Sequence, residues 1–583
     1  SGSLEKFGTG TLTLSGTSNS TGSLLVQEGA LDARGAFSML TTVGTLATLK
    51  GSGTLGGLTN LGRVAPGNSV GVLNVSGNYF QDTSGTLEIE ITPDGSAADQ
   101  LLVGGNVVLA GTLSVNGENG GLLTPAVGGQ TYTIITAGSG VTSQFNSAPP
   151  LGAFTFQPIY NTNDVQIGVT YNGFTPIQQS ATGIPGAGTN NQVTKAMALD
   201  KISVIPTGFN SGNTDFDQVL LEIANETADK LANTYNNIIA EPYAAYMTVL
   251  LEQNDFFAET VLDRAQGCSV SSRNSLGSGF TQQPDTADVN ALIGCGSSAG
   301  VRQHGAWVDA SWVKGNVRGG DGLSGYDYRM TGIVAGVDNA FGSNLVGGVA
   351  FGYSESKLDN YELADAKIQG NNYFLSTYGT YARQDWEFSG LLGYTFGDYD
   401  SSRRIRFGSI DRTANGEFDG KGMIASAKAA YFYEVNDVSL VPEFGLTYSK
   451  IWQDGFTETG AGSLNLKVED ANAYSLVTSV GLRLSTIVQK GETRYRPHAL
   501  LRYDYDWNAG NDEDHDLKAT FAEVPVIGPI DVVGQNRGKN GVIVGGGLAA
   551  QITDNVDLFV NGSYRWHNNG DDYTFSAGVR MTW

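Results

Sequence analysis

From residue 305 to Trp583, apolar and polar side chains alternate in strand after strand, and no feature constrains the fold more. In the last strand Tyr573, Phe575, Ala577, Val579, Met581 and Trp583 share one face, while Thr574, Ser576, Gly578, Arg580 and Thr582 share the other. A period of two over so many residues describes a strand with two unlike faces. A soluble sheet hides its apolar face against a second layer, but here the pattern recurs with aromatics at the ends of the apolar face. That is the writing of a barrel that crosses a membrane. No run of about 18 apolar residues occurs, so no transmembrane helix is expected.

The turns give the count. Twelve strands are expected near 305–315, 327–341, 344–357, 367–383, 386–399, 415–435, 438–451, 472–488, 492–506, 537–553, 556–567 and 571–583. Tight turns at Gly342-Ser343, Gln384-Asp385, Asn436-Asp437, Lys490-Gly491 and Asp554-Asn555 alternate with long connections around 358–366, 400–414, 452–471 and 507–536. Bacterial barrels keep short turns in the periplasm and long loops outside, so this parity starts the first strand at the periplasmic side.

The 583 residues exceed one ordinary core. The 80 glycines against 15 prolines lack a three-residue period, which fits turn-rich β structure and not collagen. A formal net charge of -24 excludes a phosphate-binding surface for nucleic acid and suits solvated loops and a soluble N-terminal part. Cys268 and Cys295 lie too far apart for a CxxC site; a disulfide in an oxidising compartment is the favoured reading, two free thiols the other. No signal peptide opens the chain and Ser1 begins in mid-pattern, so a fragment or processed product is expected.

Residues 1–171 are short strands such as Leu24-Leu25-Val26, Leu87-Glu88-Ile89 and Leu113-Ser114-Val115 between Gly, Asn and Asp turns. They suit a parallel β-helix, with a β-sandwich as the alternative. Residues 172–303 are expected to form a linker and a helical segment. Pro176, Pro185 and Pro206 break 172–214; a helix over Phe216 to Tyr235 follows, with Asp215 or Asp217 as its cap, and Pro242 separates it from a second run through Met247 to Asp263-Arg264.

At these residues the chain resembles the classical autotransporters of Gram-negative bacteria (type V secretion). Leu61-Gly62-Arg63-Val64-Ala65-Pro66-Gly67-Asn68-Ser69-Val70-Gly71-Val72-Leu73 and Ala98-Asp99-Gln100-Leu101 are similar to the end of a passenger β-helix, the autochaperone region. Gly305-Ala306-Trp307, Gly336-Val337-Asp338 and Gly347-Gly348-Val349-Ala350-Phe351-Gly352-Tyr353 look like the opening of the family's twelve-stranded translocator. Ser576, Gly578, Met581 and the terminal aromatic Trp583 match its outer-membrane assembly signal, in which a final Phe is commoner. The resemblance implies an all-β chain with a short α segment: the end of a right-handed parallel β-helix, then a twelve-stranded antiparallel barrel at 304–583 with an α-helix in its pore. It implies an outer-membrane translocator that secretes and anchors its own passenger at the cell surface, an adhesin being the commonest guess. Implied partners are outer-membrane lipids and lipopolysaccharide, the barrel assembly machinery and periplasmic chaperones, around a monomer. The competing class is a channel or surface adhesin barrel without self-secretion.

Charges facing lipid at mid-bilayer cost roughly 2–4 kcal/mol for Arg or Lys, so strand charges are expected inside. Alternation places Glu387, Glu443, Arg483, Arg494, Arg496 and Arg502 on the pore wall, with Asp309, Asp338, Lys428, Glu434, His498 and Asp504. They either form a solvated wall or hold Glu259 and Asp263 of the pore helix, which also carries Arg264, by charge-assisted hydrogen bonds. Some family members cut themselves at a pore Asn. Asn236-Asn237 lies far from strand one and Asn254-Asp255 does not match the motif, so no cleavage is read here. His304, His498, His515 and His567 form no constellation with a nucleophile, and neither enzyme activity, cofactor nor metal is expected.

Overall fold

The computed structural model describes residues 2–174, 190–205, 208–265, 304–320, 323–341, 344–359, 361, 365–435, 438–490, 493–509, 517–553 and 555–583. Cys268 and Cys295, and with them the expected disulfide, lie outside the described residues, as does His515. Two compact units are present: Ser1–Gly188 with Lys195–Tyr235 and Arg406–Ile410, and Thr189–Thr194 with Asn236–Ile405 and Asp411–Trp583.

In the first unit the strands pair in parallel with partners one coil away, which sets aside the sandwich alternative. Leu49 pairs with Val64, Val64 with Leu87 and Leu87 with Leu113, and all four side chains are fully buried. Leu73 and Leu101 belong to a second ladder that continues to Ile135. Such stacking gives one continuous core, because each coil buries the apolar row of the next. A buried polar network crosses it: Asn60 Nδ2 donates to Tyr79 and Gln81, and Gln81 Nε2 donates to the carbonyls of Gly85, Ala110 and Thr112. The ladder ends in antiparallel pairing of Thr131–Ala137 with Asp164–Tyr171, which also pairs with Phe154–Tyr160.

Asp99, in the autochaperone-like segment, is wholly buried and accepts from the amides of Gly71 (2.7 Å) and Glu90 (2.8 Å). Burial pushes its carboxyl up from 3.8 to about 7, reinforced by Glu90 and Glu88 and opposed by those amides. The ionised form is thus the disfavoured one. This group's contribution is most favourable below about pH 4, declines as the pH rises to about 7, and is level above. Hydrogen exchange at the Gly71 and Glu90 amides, corrected for intrinsic rates, should lose protection across that window. Asp99→Asn should flatten the dependence while lowering protection at every pH, since its amide group faces one of the two donors.

The described α-helices are α1 (Asn190–Leu199), α2 (Thr214–Asn225), α3 (Ala228–Asn237) and α4 (Glu241–Ala265). The expected helix over 216–235 is thus two, and α1 lies inside the expected linker. Neither Asp215 nor Asp217 caps α2: the Asn213 side chain accepts from the Phe216 amide at 3.1 Å. Pro242 does not interrupt the following helix but sits in its first turn, where a missing N–H costs nothing.

Twelve strands form the barrel: β1 (His304–Val317), β2 (Tyr326–Phe341), β3 (Leu345–Asp359), β4 (Asp365–Arg383), β5 (Trp386–Phe407), β6 (Ile410–Tyr431), β7 (Val438–Gln453), β8 (Ala471–Thr486), β9 (Thr493–Asp506), β10 (Asn540–Thr553), β11 (Val556–His567) and β12 (Gly570–Thr582). Neighbours in sequence are neighbours in the sheet, and β12 closes it on β1 from Gly305↔Thr582 to Val317↔Gly570. Closure leaves no unpaired edge among these strands, the condition for crossing a bilayer. Phe575, Met581 and Trp583 remain more than half exposed on the outer wall, and Tyr353, Tyr373 and Phe396 line up there with ring centroids 5.5 and 5.3 Å apart.

Three long connections are not what their composition suggests. The 400–414 stretch is not a loop: β5 and β6 run on to Phe407 and from Ile410, turning at Gly408, whose φ of 50° favours glycine. The connections after β7 and β9 pair with each other. Phe456–Thr457, Leu466–Val468, Leu517–Phe521 and Ile530–Val532 make a four-stranded antiparallel sheet, with Leu464, Leu466, Leu517 and Phe521 fully buried.

Candidate functional site

α4 has 25 residues, a length of about 37 Å at 1.5 Å per residue, enough to run through the barrel. Its first turn meets Ser401 and Glu458 at the end with the long connections, and its last meets Lys428 and Arg483 at the end with the tight turns. No described helix is long and apolar enough to cross a membrane itself. α4 divides its surface instead. Phe257, Ala258, Val261 and Leu262 pack with Trp307, Val334, Ala350, Phe374, Tyr378, Leu391 and Ile424 of the wall, and Phe257 stacks on Phe374 at 4.8 Å and 9°.

Glu252, Asp255, Glu259 and Asp263 follow one another at steps of three and four, which puts them on one stripe of the helix. Each meets a cation. Asp263 accepts from Arg483 (3.2 Å) and Lys428 (3.4 Å). Glu259 pairs with Arg502 and with Arg565 (3.2 Å). Glu252 pairs with Arg565 (3.2 Å) and Arg537, and Arg537 reaches Asp255 at 3.1 Å. Arg502 is also held by Asp504 at 2.8 Å, and Arg483 lies 3.6 Å from Glu443. These side chains are largely removed from water, where an ion pair matters most and a broken one is costly.

Arg494 and Arg496 do not take the expected part. Arg496 is buried but donates to Ser485 at 2.9 Å, and neither reaches a helix carboxylate. They lie nearer the tight-turn end of β9, below the last acidic turn of α4. Glu387 and Glu443 are buried inside the barrel. Arg537 and Arg565 escaped the sequence reading, although alternation along β11 turns Arg565 inward opposite Tyr564 and Trp566; Arg580 lies on the polar face of β12, as expected. Arg580 pairs with Asp338 (2.9 Å) and donates to the Arg264 carbonyl (3.2 Å), while Asp338 accepts from Tyr378, which accepts from Trp307.

The assembly-signal residues fall into two groups. Met581 and Trp583 face outward; the Trp583 amide donates to the His304 carbonyl at 3.1 Å and its ring lies over His304. Ser576 and Gly578 face inward. Ser576 donates to Asp309 at 3.4 Å, and Gly578 lies beneath Phe559, over whose ring the Arg264 guanidinium sits at 3.7 Å. Glu252, His567 and Asp572 form a buried group of metal-ligand types, but Arg537 and Arg565 already face Glu252.

A closed twelve-stranded barrel with an apolar outer wall and a charged lumen threaded by a helix defines an outer-membrane β-barrel protein. Residues 306–563 match the autotransporter beta-domain family. The whole chain is 24% identical over 615 residues to an extracellular serine protease of Serratia marcescens, covering 56% of that protein, and 62% of it is 25% identical to outer membrane protein B of Rickettsia japonica, covering 22% of that one. Among solved structures it is similar to the translocator domain of NalP from Neisseria meningitidis (18% identity, TM-score 0.39, 48% of this chain and 88% of that one) and to the beta domain of BrkA from Bordetella (16%, 0.37, 48% and 100%). The barrel is an autotransporter beta-domain, and the protein lies in the bacterial outer membrane. It spans about half the length of the Serratia relatives it matches.

Proposed function

We propose that the barrel secretes its own N-terminal passenger across the outer membrane and then anchors it, with α4 left in the pore as the last segment to enter. The observation that carries this reading is the pairing of the acidic stripe of α4 with Lys428, Arg483, Arg502, Arg537 and Arg565. An open channel needs that lumen free, so the pairing favours a translocator over a porin-like barrel. Residues 1–171 are the C-terminal stem of a right-handed parallel β-helix whose folding outside favours outward movement. The lipid-facing wall contacts outer-membrane lipids and lipopolysaccharide; insertion of the monomer uses periplasmic chaperones and the barrel assembly machinery, which reads Ser576, Gly578, Met581 and Trp583.

The barrel moves a polypeptide and makes no covalent change in it. The Serratia relatives, named extracellular serine proteases, favour hydrolysis over adhesion as the activity of the complete passenger. An epitope fused ahead of residue 2 should bind antibody on intact Gram-negative cells expressing the chain. Retention of the epitope in the periplasm, with the barrel inserted, contradicts secretion.

A further inference from the structure

Arg403 and Glu458 are each about 1% exposed, and they form the most deeply buried ion pair of the barrel unit among its described residues. Glu458 accepts from Arg403 Nε (3.1 Å) and Nη2 (2.6 Å), from the Leu466 amide (2.8 Å) and from the hydroxyl of Tyr243 (2.7 Å). Arg403 also donates to the carbonyls of Asn237 (2.5 Å) and Leu464 (3.3 Å). One pair thus touches three parts of the unit: the wall strand β5, the sheet built from the long connections, and the entry to α4.

The tyrosines of α4 sit in an aromatic collar at the same level. Tyr243 meets Phe418 and Phe456 edge-on at 5.9 and 4.9 Å, and Tyr246 meets Tyr399 at 5.4 Å while its hydroxyl lies 2.7 Å from Ser356. Tyr243 and Tyr246 form the one pair of tyrosines three residues apart that the sequence holds before the barrel. A buried carboxylate with a place for one more donor is satisfied only when such a donor arrives.

We propose that Glu458, held by Arg403, is a positioning residue that fixes where the outward-moving chain stops. Residues 1–242 bring no such paired phenols to the collar, so the long connections close around the chain when Tyr243 and Tyr246 arrive. This rests on the secretion reading and adds to it a stop with a defined register.

The test uses the full chain in Gram-negative cells with Cys268→Ser and Cys295→Ser. Asn254→Cys on α4 and Ser449→Cys on β7 replace two side chains that hydrogen-bond at 3.1 Å. Oxidation should join them in nearly every molecule. Glu458→Gln should lower that yield about tenfold and Tyr243→Phe a few-fold, the weights of a charged and a single hydrogen bond, with the N-terminal epitope still at the surface. Glu458→Asp should restore much of the yield. Unchanged yield in both Glu458→Gln and Tyr243→Phe overturns the stop. Tyr243→Phe leaves every wall residue in place, so it decides the question even where the Glu458 variant does not fold. An epitope that never reaches the surface in the parent chain rejects secretion itself and is read separately.

Discussion

Arg565→Gln is expected to free α4 from the pore wall. Arg565 joins Glu252 and Glu259 at 3.2 Å each and lies 3.8 Å from Asp572, so its loss leaves two buried carboxylates and the part-buried Glu259 short of a partner. Breaking a buried pair by removing one partner costs about 3–5 kcal/mol, and each 1.4 kcal/mol is about tenfold in a population. The fraction of barrels with the helix displaced should rise by about two to three and a half orders of magnitude on that scale. In planar bilayers the variant should show frequent large-conductance openings that the parent protein lacks. Arg494→Gln is the control: Arg494 meets no helix carboxylate, and its conductance should match the parent's. Equal behaviour of the two variants contradicts the assignment of the acidic stripe.

Gly578→Val should abolish assembly. β12 is pinned on both sides there, with Asp309 and Phe559 directly opposite Gly578. A Cβ at this position falls 2.2 Å from a Phe559 ring carbon and 2.2 Å from the Val308 carbonyl oxygen. The ring can swing away, but the carbonyl belongs to the β1–β12 ladder that closes the barrel. Overpacking of this kind costs about 1–3 kcal/mol or more, and the displaced ring also loses its place under Arg264. Folded, heat-modifiable barrel in outer membranes should fall at least about tenfold. Adding Phe559→Ala should recover only part of it, because the backbone clash stays. Full recovery would show that the ring alone makes glycine necessary.

The barrel was legible because a lipid-facing wall imposes a period of two that nothing else in the sequence breaks. The same alternation turns Arg565 and Arg580 inward, yet it carries no information on their partners, two helix carboxylates for Arg565 and the wall residue Asp338 for Arg580. Arg494 and Arg502 look equivalent along β9; only the height of α4 in the pore separates them. Glu252 and Asp255 extend the stripe of Glu259 and Asp263 and lie inside the helical run expected from Met247, but their partners Arg537 and Arg565 come from segments about 300 residues away that no local pattern links to the helix. The charged run Arg403-Arg404-Ile405-Arg406 reads as a loop by composition, although it alternates in and out as strand. In the long connections, three-residue strands such as Leu466–Val468 are too short for a period to stand out, and they are held by partners some fifty residues away.

Proteolysis of intact cells tests the central claim most directly. External protease should remove residues 1 to about 240 and leave one membrane-embedded product that begins near Glu241 and retains α4 inside the barrel. A product that begins near His304, or an N-terminal part that resists digestion until the outer membrane is opened, contradicts it.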